Sequence, residues 1–327
     1  MNSDITIAPW LDGKRWVYSI TFDEALVELH RFAVPILARH NAPGHIEAVV
    51  GHLGIERQIG QSSYNGFHHM SGPQMREMLD RGWGVGNHSW SHMVVNADTA
   101  DIELGKAKVV LEEAIGEPIT VYCSCGDNQN MNAGALAACR KFGYLGAMSI
   151  TDALNRPDDE DLMWMNRTFL HEQGYGPFFS AFDPFRNIAL AKRDNGWIID
   201  YCHCPLEKAV HPNKDCSEAQ LRERIETVVS EGGDEVWLAR VEDAVDYRYV
   251  RRHTKIDKRS PNEFVLSAPG LPEAVRKRTI TLELPADVAA AEYNGARVNI
   301  LKRGERSLLN VDVATQPKTL RLIRRGA

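Results

Sequence analysis

The stretch WVYSITFDEALVELHRFAVPILARHN, residues 16–41, decides the fold. Its first nine residues are rich in β-branched and aromatic side chains and end on two carboxylates, the pattern of a strand that runs into a polar loop. The remainder carries apolar residues at helical spacing, with Pro35 placed to kink the helix or break it in two. The same order recurs down the chain. HIEAVVGHLG (45–54) reads as a buried strand, and SGPQMREMLDRG (71–82) as a helix with Ser71 as N-cap and Gly82 as its stop. WGVGNHSWSH (83–92) is a short strand ending in a polar loop, and TADIELGKAKVVLEEAIG (99–116) an amphipathic helix closed by Gly116. ITVYCSCGD (119–127), AGALAACRKFGYLGAMSI (133–150), GWIIDYCHCP (196–205), SEAQLRERIETVVSEGG (217–233), DEVWLARV (234–241) and VEDAVDYRYVRR (241–252) continue the alternation.

Alternation of this kind means a parallel sheet covered by helices. The expected fold class is α/β: a distorted (β/α) barrel of about seven strands over residues 1–253. KIDKRSPNEF (255–264) is polar and reads as a linker. The short alternating segments beyond it, with the turn signal Tyr293-Asn294-Gly295, predict a small C-terminal antiparallel β-domain over residues 254–327.

The chain has 327 residues, with 43% hydrophobic and 25% charged side chains, which excludes a disordered or fibrous protein. Its net charge of −6 argues against a general nucleic-acid binder. No apolar run is long enough to predict a membrane span. The opening MNSDITIAPWLDGKRW does not read as a signal peptide, and six cysteines in no disulfide pattern favour a reduced, cytoplasmic chain. Cys123 with Cys125 and Cys202 with Cys204 raise a four-thiolate zinc site. One residue between ligands is tight for zinc, so small buried residues at strand ends are the simpler reading.

Barrel chemistry sits where strands end. Three such ends carry suggestive residues. Asp23 and Glu24 are adjacent carboxylates, which repel each other unless a cation or a shared proton intervenes. His88 and His92, at i and i+4, can share a helical face and grip one metal ion. His203 closes the strand WIIDYCHC. Each has a plainer reading alone: a solvated cap, a chance spacing, a structural histidine. Their joint position on one barrel face favours a site.

With these motifs in order, the chain resembles the polysaccharide deacetylase family, also called the NodB-homology family or carbohydrate esterase family 4. The family's T-F-D-D is matched by Thr21-Phe22-Asp23-Glu24, and its H-[ST]-x-x-H by His88-Ser89-Trp90-Ser91-His92 with Gly86-Asn87 leading in. Gly126-Asp127-Asn128, Gly143-Tyr144-Leu145-Gly146-Ala147 and Tyr201-Cys202-His203 approximate the later motifs. The match runs from about residue 16 to 252.

The resemblance implies hydrolysis of an N- or O-linked acetyl group and a divalent metal, most commonly zinc. By that mapping Glu24, His88 and His92 hold the metal, Asp23 is the general base and His203 the general acid. Cys125, Gly126 and Arg167 are candidate substrate or oxyanion groups. One carboxylate and two imidazoles leave metal positions open for water and a substrate carbonyl, which suits such chemistry.

Departures from the family pattern are plain. Glu24 replaces the usual Asp, and Tyr122-Cys123-Ser124-Cys125 lacks the Arg and Pro of the third motif. Arg167, in WMNRTF (164–169), is the candidate to replace that Arg in space. The expected partner is an acetylated carbohydrate or a small amide, with no nucleic acid and no membrane; a homo-oligomer stays open. Two alternatives stand beside this: an allantoinase-like or other C–N hydrolase, and a glycan-binding module with a decayed site.

Overall fold

The computed structural model describes residues 5–159, 161–174 and 180–325. The chain divides into two compact units, Val17–Glu242 and Met1–Trp16 with Asp243–Ala327. The sequence reading sets a single boundary between residues 253 and 254. The units instead change over after Trp16 and after Glu242.

In the larger unit, β2 (Trp16–Asp23) is buried at all eight positions. Its polar residues Ser19, Thr21 and Asp23 are buried with the apolar ones, and the Ser19 and Thr21 hydroxyls donate to the Ala239 and Asp200 carbonyls. β3 (His45–Ala48), β4 (Gly84–Asn87), β5 (Val121–Cys123) and β6 (Gly146–Met148) follow on one side of β2. β8 (Trp197–Cys202) and β7 (Thr168–Phe169) follow on the other, giving the order β6-β5-β4-β3-β2-β8-β7, and β9 (Val236–Leu238) also pairs with β2. The neighbours along this path run parallel. The residues leading into β7 reach the far edge: Met148 and Met165 form a parallel bridge, with Met165 N–H donating to Ala147 at 2.8 Å. The sheet therefore curls into the expected distorted barrel. Two residues of β7 are too few for any periodicity, so the sequence reading does not contain that strand.

The helices follow their local signals. The helix expected after β2 breaks into α1 (Leu29–Phe32) and α2 (Val34–Ala38), with Pro35 in the first turn of the second. Proline lacks the N–H that would continue the hydrogen-bond ladder. α3 (Gly72–Asp80) opens with a capping box between Ser71 and Gln74. α4 (Ala107–Ile115) stops at Gly116 with φ of 76°, a left-handed position that glycine takes without strain. α5 (Ala133–Lys141), α6 (Ile188–Asp194) and α7 (Glu218–Gly232) complete the outer layer, the last again with a capping box, Ser217 and Gln220.

The smaller unit takes up α8 (Val241–His253) from Asp243 onward and two antiparallel sheets. β1 (Thr6–Ile7), β12 (Thr279–Leu284), β16 (Arg306–Asp312) and β15 (Leu301–Arg303) form one. β10 (Lys255–Ser260), β11 (Glu263–Ser267), β17 (Lys318–Arg324), β13 (Val288–Tyr293) and β14 (Ala296–Val298) form the other. The expected linker is thus a hairpin, β10 and β11. It reads as a linker because β10 is an edge strand whose polar side chains face solvent. The N-terminal residues belong here because Ala8 N–H donates to Thr281 at 2.8 Å and Tyr247 donates to the Ala8 carbonyl at 2.9 Å. The Asn294-Gly295 turn has positive φ at both residues, as a tight hairpin requires. Among the described residues no helix is long and apolar enough to cross a membrane.

Candidate active site

Parallel register brings the C-terminal ends of the barrel strands to one face. Asp23 is the last residue of β2, Glu24 follows it, His88 follows β4, Cys123 ends β5, Arg167 precedes β7 and His203 follows β8. The backbone turns sharply after β2: Glu24 and Ala25 have φ of 71° and 52°, a left-handed region that costs a residue with a Cβ. His69 Nδ1 donates to the Glu24 carbonyl at 2.7 Å and helps fix this turn. The two carboxylates of the pair then take different partners.

Asp23 faces Arg167. Nη1 of Arg167 donates to Asp23 Oδ1 at 2.7 Å, while its Nε donates to the Ser149 carbonyl at 2.9 Å. The guanidinium also lies 4.2 Å from the Tyr201 ring centre. Burial is the largest single influence and pushes the Asp23 carboxyl up, yet Arg167, His88 and His203 together outweigh it and hold the group well below the usual carboxylate range. Arg167, from the segment just before β7, is thus the arginine that pairs with Asp23.

Glu24 faces Arg57, a residue the sequence reading does not single out. Arg57 donates from Nε to Oε2 and from Nη2 to Oε1, the latter at 2.7 Å, with both side chains nearly fully buried. Burial raises the Glu24 carboxyl, but the bonds from Arg57 together with His92 and His203 bring it down to about 2. No periodicity marks Arg57, because it lies in an irregular segment between β3 and α3.

His88 and His92 do not share a helix. The segment is a turn in which Ser89 and His92 take positive φ, and it still brings the rings to 5.0 Å between centres. His88 Nδ1 donates to the Cys123 carbonyl at 3.1 Å, so its Nε2 keeps a lone pair, 3.9 Å from Asp23 Oδ2. His92 Nε2 lies 3.9 Å from Glu24 Oε1. Burial lowers both imidazoles, His88 to about 3, so both stay neutral at physiological pH.

His203 stacks on Tyr64 with ring centres 4.8 Å apart. Its Nδ1 donates to the Lys214 carbonyl at 3.2 Å, which leaves Nε2 to exchange a proton. The buried Asp215 carboxylate accepts from the His203 backbone N–H at 2.7 Å and from the Tyr64 hydroxyl at 2.6 Å; burial raises its carboxyl to about 6. His171, two residues past β7, is a further buried imidazole, 5.7 Å from the Tyr201 ring and lowered to about 3 by burial. Tyr64, Asp215 and His171 also escape sequence reading. Each lies on a loop or an unread strand and gains meaning only from its neighbours in space.

Cys125 and Gly126 follow β5. The Cys125 thiol donates to the Met93 carbonyl at 3.3 Å, and Asn130 donates to the Cys125 carbonyl at 2.7 Å, tying this loop to the histidine turn. All six cysteines are free and buried.

The donor set suits a divalent ion in kind. His88 has its second nitrogen engaged by a carbonyl, as metal-bound imidazoles do, and both rings are neutral. The ligand atoms of Asp23, His88 and Cys123 lie within 4.8 Å of one another. Among the described residues no other three such donors are gathered this closely; burial pushes the Cys123 thiol well up. Glu24 is shared with a guanidinium.

Residues 12–146 match the family described as polysaccharide deacetylase. A protein from Mycobacterium smegmatis with a provisional polysaccharide deacetylase description is 19% identical; the alignment covers 76% of this chain and 96% of that one, with a TM-score of 0.50. Puue allantoinase is 13% identical over 73% of this chain and 92% of its own, also with a TM-score of 0.50. These two establish the shared barrel fold. A Streptococcus pyogenes deacetylase, PplD, solved in complex with acetate, is 18% identical over 46% of this chain, with a TM-score of 0.39; the match spans 62% of its length. A comparison with curated proteins returns no match.

Proposed function

We propose that the chain hydrolyses an acetyl group, N- or O-linked, from a carbohydrate. The observation that carries this reading is the division of labour at the strand ends. Asp23 has one oxygen held by Arg167 and the other directed toward His88, while His203 has Nδ1 committed to a carbonyl and Nε2 available.

Asp23 accepts the proton of the attacking water through Oδ2. Arg167 fixes its orientation and keeps it ionised. His203 Nε2 delivers a proton to the departing amine or alkoxide, and the Tyr64 stack with the Nδ1 bond to the Lys214 carbonyl keeps the imidazole in place. Glu24, His88 and His92 would hold a divalent ion, zinc being the best match to one carboxylate and two imidazoles. When bound, such an ion supplies Lewis acidity to the acyl carbonyl and to water. Cys125 and Gly126 border this region as candidate substrate contacts.

The test is acetate release from N-acetylated and O-acetylated mono- and oligosaccharides, with Asp23→Asn as the inactive control. Acetate formed by the wild type and lost in the variant supports the reading. No acetate from any of them, with turnover of cyclic ureides, assigns the chain to C–N hydrolysis instead.

A further inference from the structure

Arg57 is placed by its whole neighbourhood. Its N–H donates to the Phe67 carbonyl at 2.7 Å, its carbonyl accepts from Gly66 at 3.0 Å, and Nη1 donates to Asn65 Oδ1 at 2.9 Å. The guanidinium lies 5.7 Å from the Tyr64 ring centre. The segment is stitched to the Glu24 turn by Val27 N–H to His68 at 2.9 Å and Met70 N–H to Ala25 at 2.7 Å. All three guanidinium nitrogens are thereby committed, two of them to the oxygens of Glu24.

Oε1 of Glu24 is the contested atom. It accepts from Arg57 Nη2 at 2.7 Å and lies 3.9 Å from His92 Nε2. An ion shared by Glu24 and His92 would stand beside a guanidinium that cannot lose its proton. Like charges in a buried site repel strongly, and a carboxylate already accepting two charge-assisted bonds is a weaker donor.

We propose that Arg57 is a built-in competitor for the divalent ion at Glu24, so that ion affinity is set by how firmly the guanidinium holds that carboxylate. This rests on reading Glu24, His88 and His92 as the ion-holding set. Arg57 acts through Glu24 and is a positioning residue.

The test is calorimetric titration of the intact chain with Zn²⁺, comparing wild type, Arg57→Gln, Arg57→Lys and His88→Ala. Arg57→Gln removes the charge and is expected to bind at least about tenfold more tightly. Arg57→Lys keeps the charge and is expected to stay near wild type. Equal or weaker binding in Arg57→Gln, with wild-type binding lost in His88→Ala, overturns the competition while leaving a His88-dependent ion site intact. No His88-dependent binding in any variant overturns both. Should Arg57→Gln fail to fold, Asn65→Ala loosens the guanidinium without removing its charge. Tighter Zn²⁺ binding is expected there, and unchanged affinity overturns the proposal.

Discussion

Arg167 and Asp23, separated by 144 residues in sequence, form a 2.7 Å ion pair with the arginine wholly buried. Arg167→Met leaves a buried carboxylate without its cation. Breaking a buried pair in this way costs about 3–5 kcal/mol, and loss of base positioning is expected to lower kcat by about a hundredfold or more. The informative variant is the double one. Asp23→Asn on the Arg167→Met background removes the stranded charge, so denaturant melts should recover much of the stability while activity stays absent. Stability that does not recover would mean that Arg167 acts mainly through packing on Tyr201.

His203 is expected to matter for the chemical step and little for the fold. His203→Ala should lower kcat by about 10²–10⁴-fold, the usual range for a general acid, with substrate KM nearly unchanged. Tyr64→Phe keeps the ring stack but removes the hydroxyl bonded to Asp215. It should cost about 1–3 kcal/mol of stability, because a buried carboxylate oxygen loses its donor. Steady-state kinetics and melts on the two variants separate the roles. A large kcat loss in Tyr64→Phe matching that of His203→Ala would show the hydroxyl itself at work in the reaction.

The barrel was legible because buried strands and capped helices announce themselves locally. WVYSITFDE, the Ser71 box and Gly116 each carry their own signal. Asp23 ends a readable strand and Glu24, His88 and His203 directly follow one, so the sequence could place them on one face; His92 lies in the turn beyond. Arg57, Tyr64, His171 and Asp215 were not legible, since irregular segments carry no period and their roles come from partners far along the chain. The histidine spacing invited a helical reading, yet a turn with left-handed Ser89 and His92 produces the same proximity. In the smaller unit, the exposed face of edge strand β10 disguised a hairpin as a linker.

Two ion-holding sets are separable by mutation. If Glu24, His88 and His92 hold the ion, His92→Ala should weaken Zn²⁺ binding by about a hundredfold or more, and Cys123→Ser should leave it within a few-fold of wild type. If Asp23, His88 and Cys123 hold it, the pattern reverses. His88→Ala removes binding in both cases and serves as the baseline. Calorimetry with Zn²⁺ after chelator treatment reads the difference directly, independent of any substrate.

His45 makes the pH dependence of stability testable through a second buried charge cluster. It is fully buried, with Nδ1 2.6 Å from Glu47 Oε1 and Nε2 3.0 Å from Glu242 Oε2. Burial favours the neutral ring, but the two carboxylates prevail and raise the imidazole from 6.5 to about 10. A group with a raised folded value contributes stability that is complete below the unfolded value and disappears as pH climbs through the folded one. The His45 contribution is therefore present below about 6.5 and lost progressively up to about 10. Glu242, brought down to about 2 by the same partner against its burial, contributes above 4.5 and loses that contribution as pH falls through about 2. Denaturant melts of wild type should thus show stability declining between pH 7 and 10. His45→Gln should be less stable at pH 7 by about 3–5 kcal/mol, since two buried carboxylates lose their cation, and should converge on wild type toward pH 10. A constant gap between the two proteins across that window would mean that His45 is neutral in the folded chain and that Glu47 carries the proton.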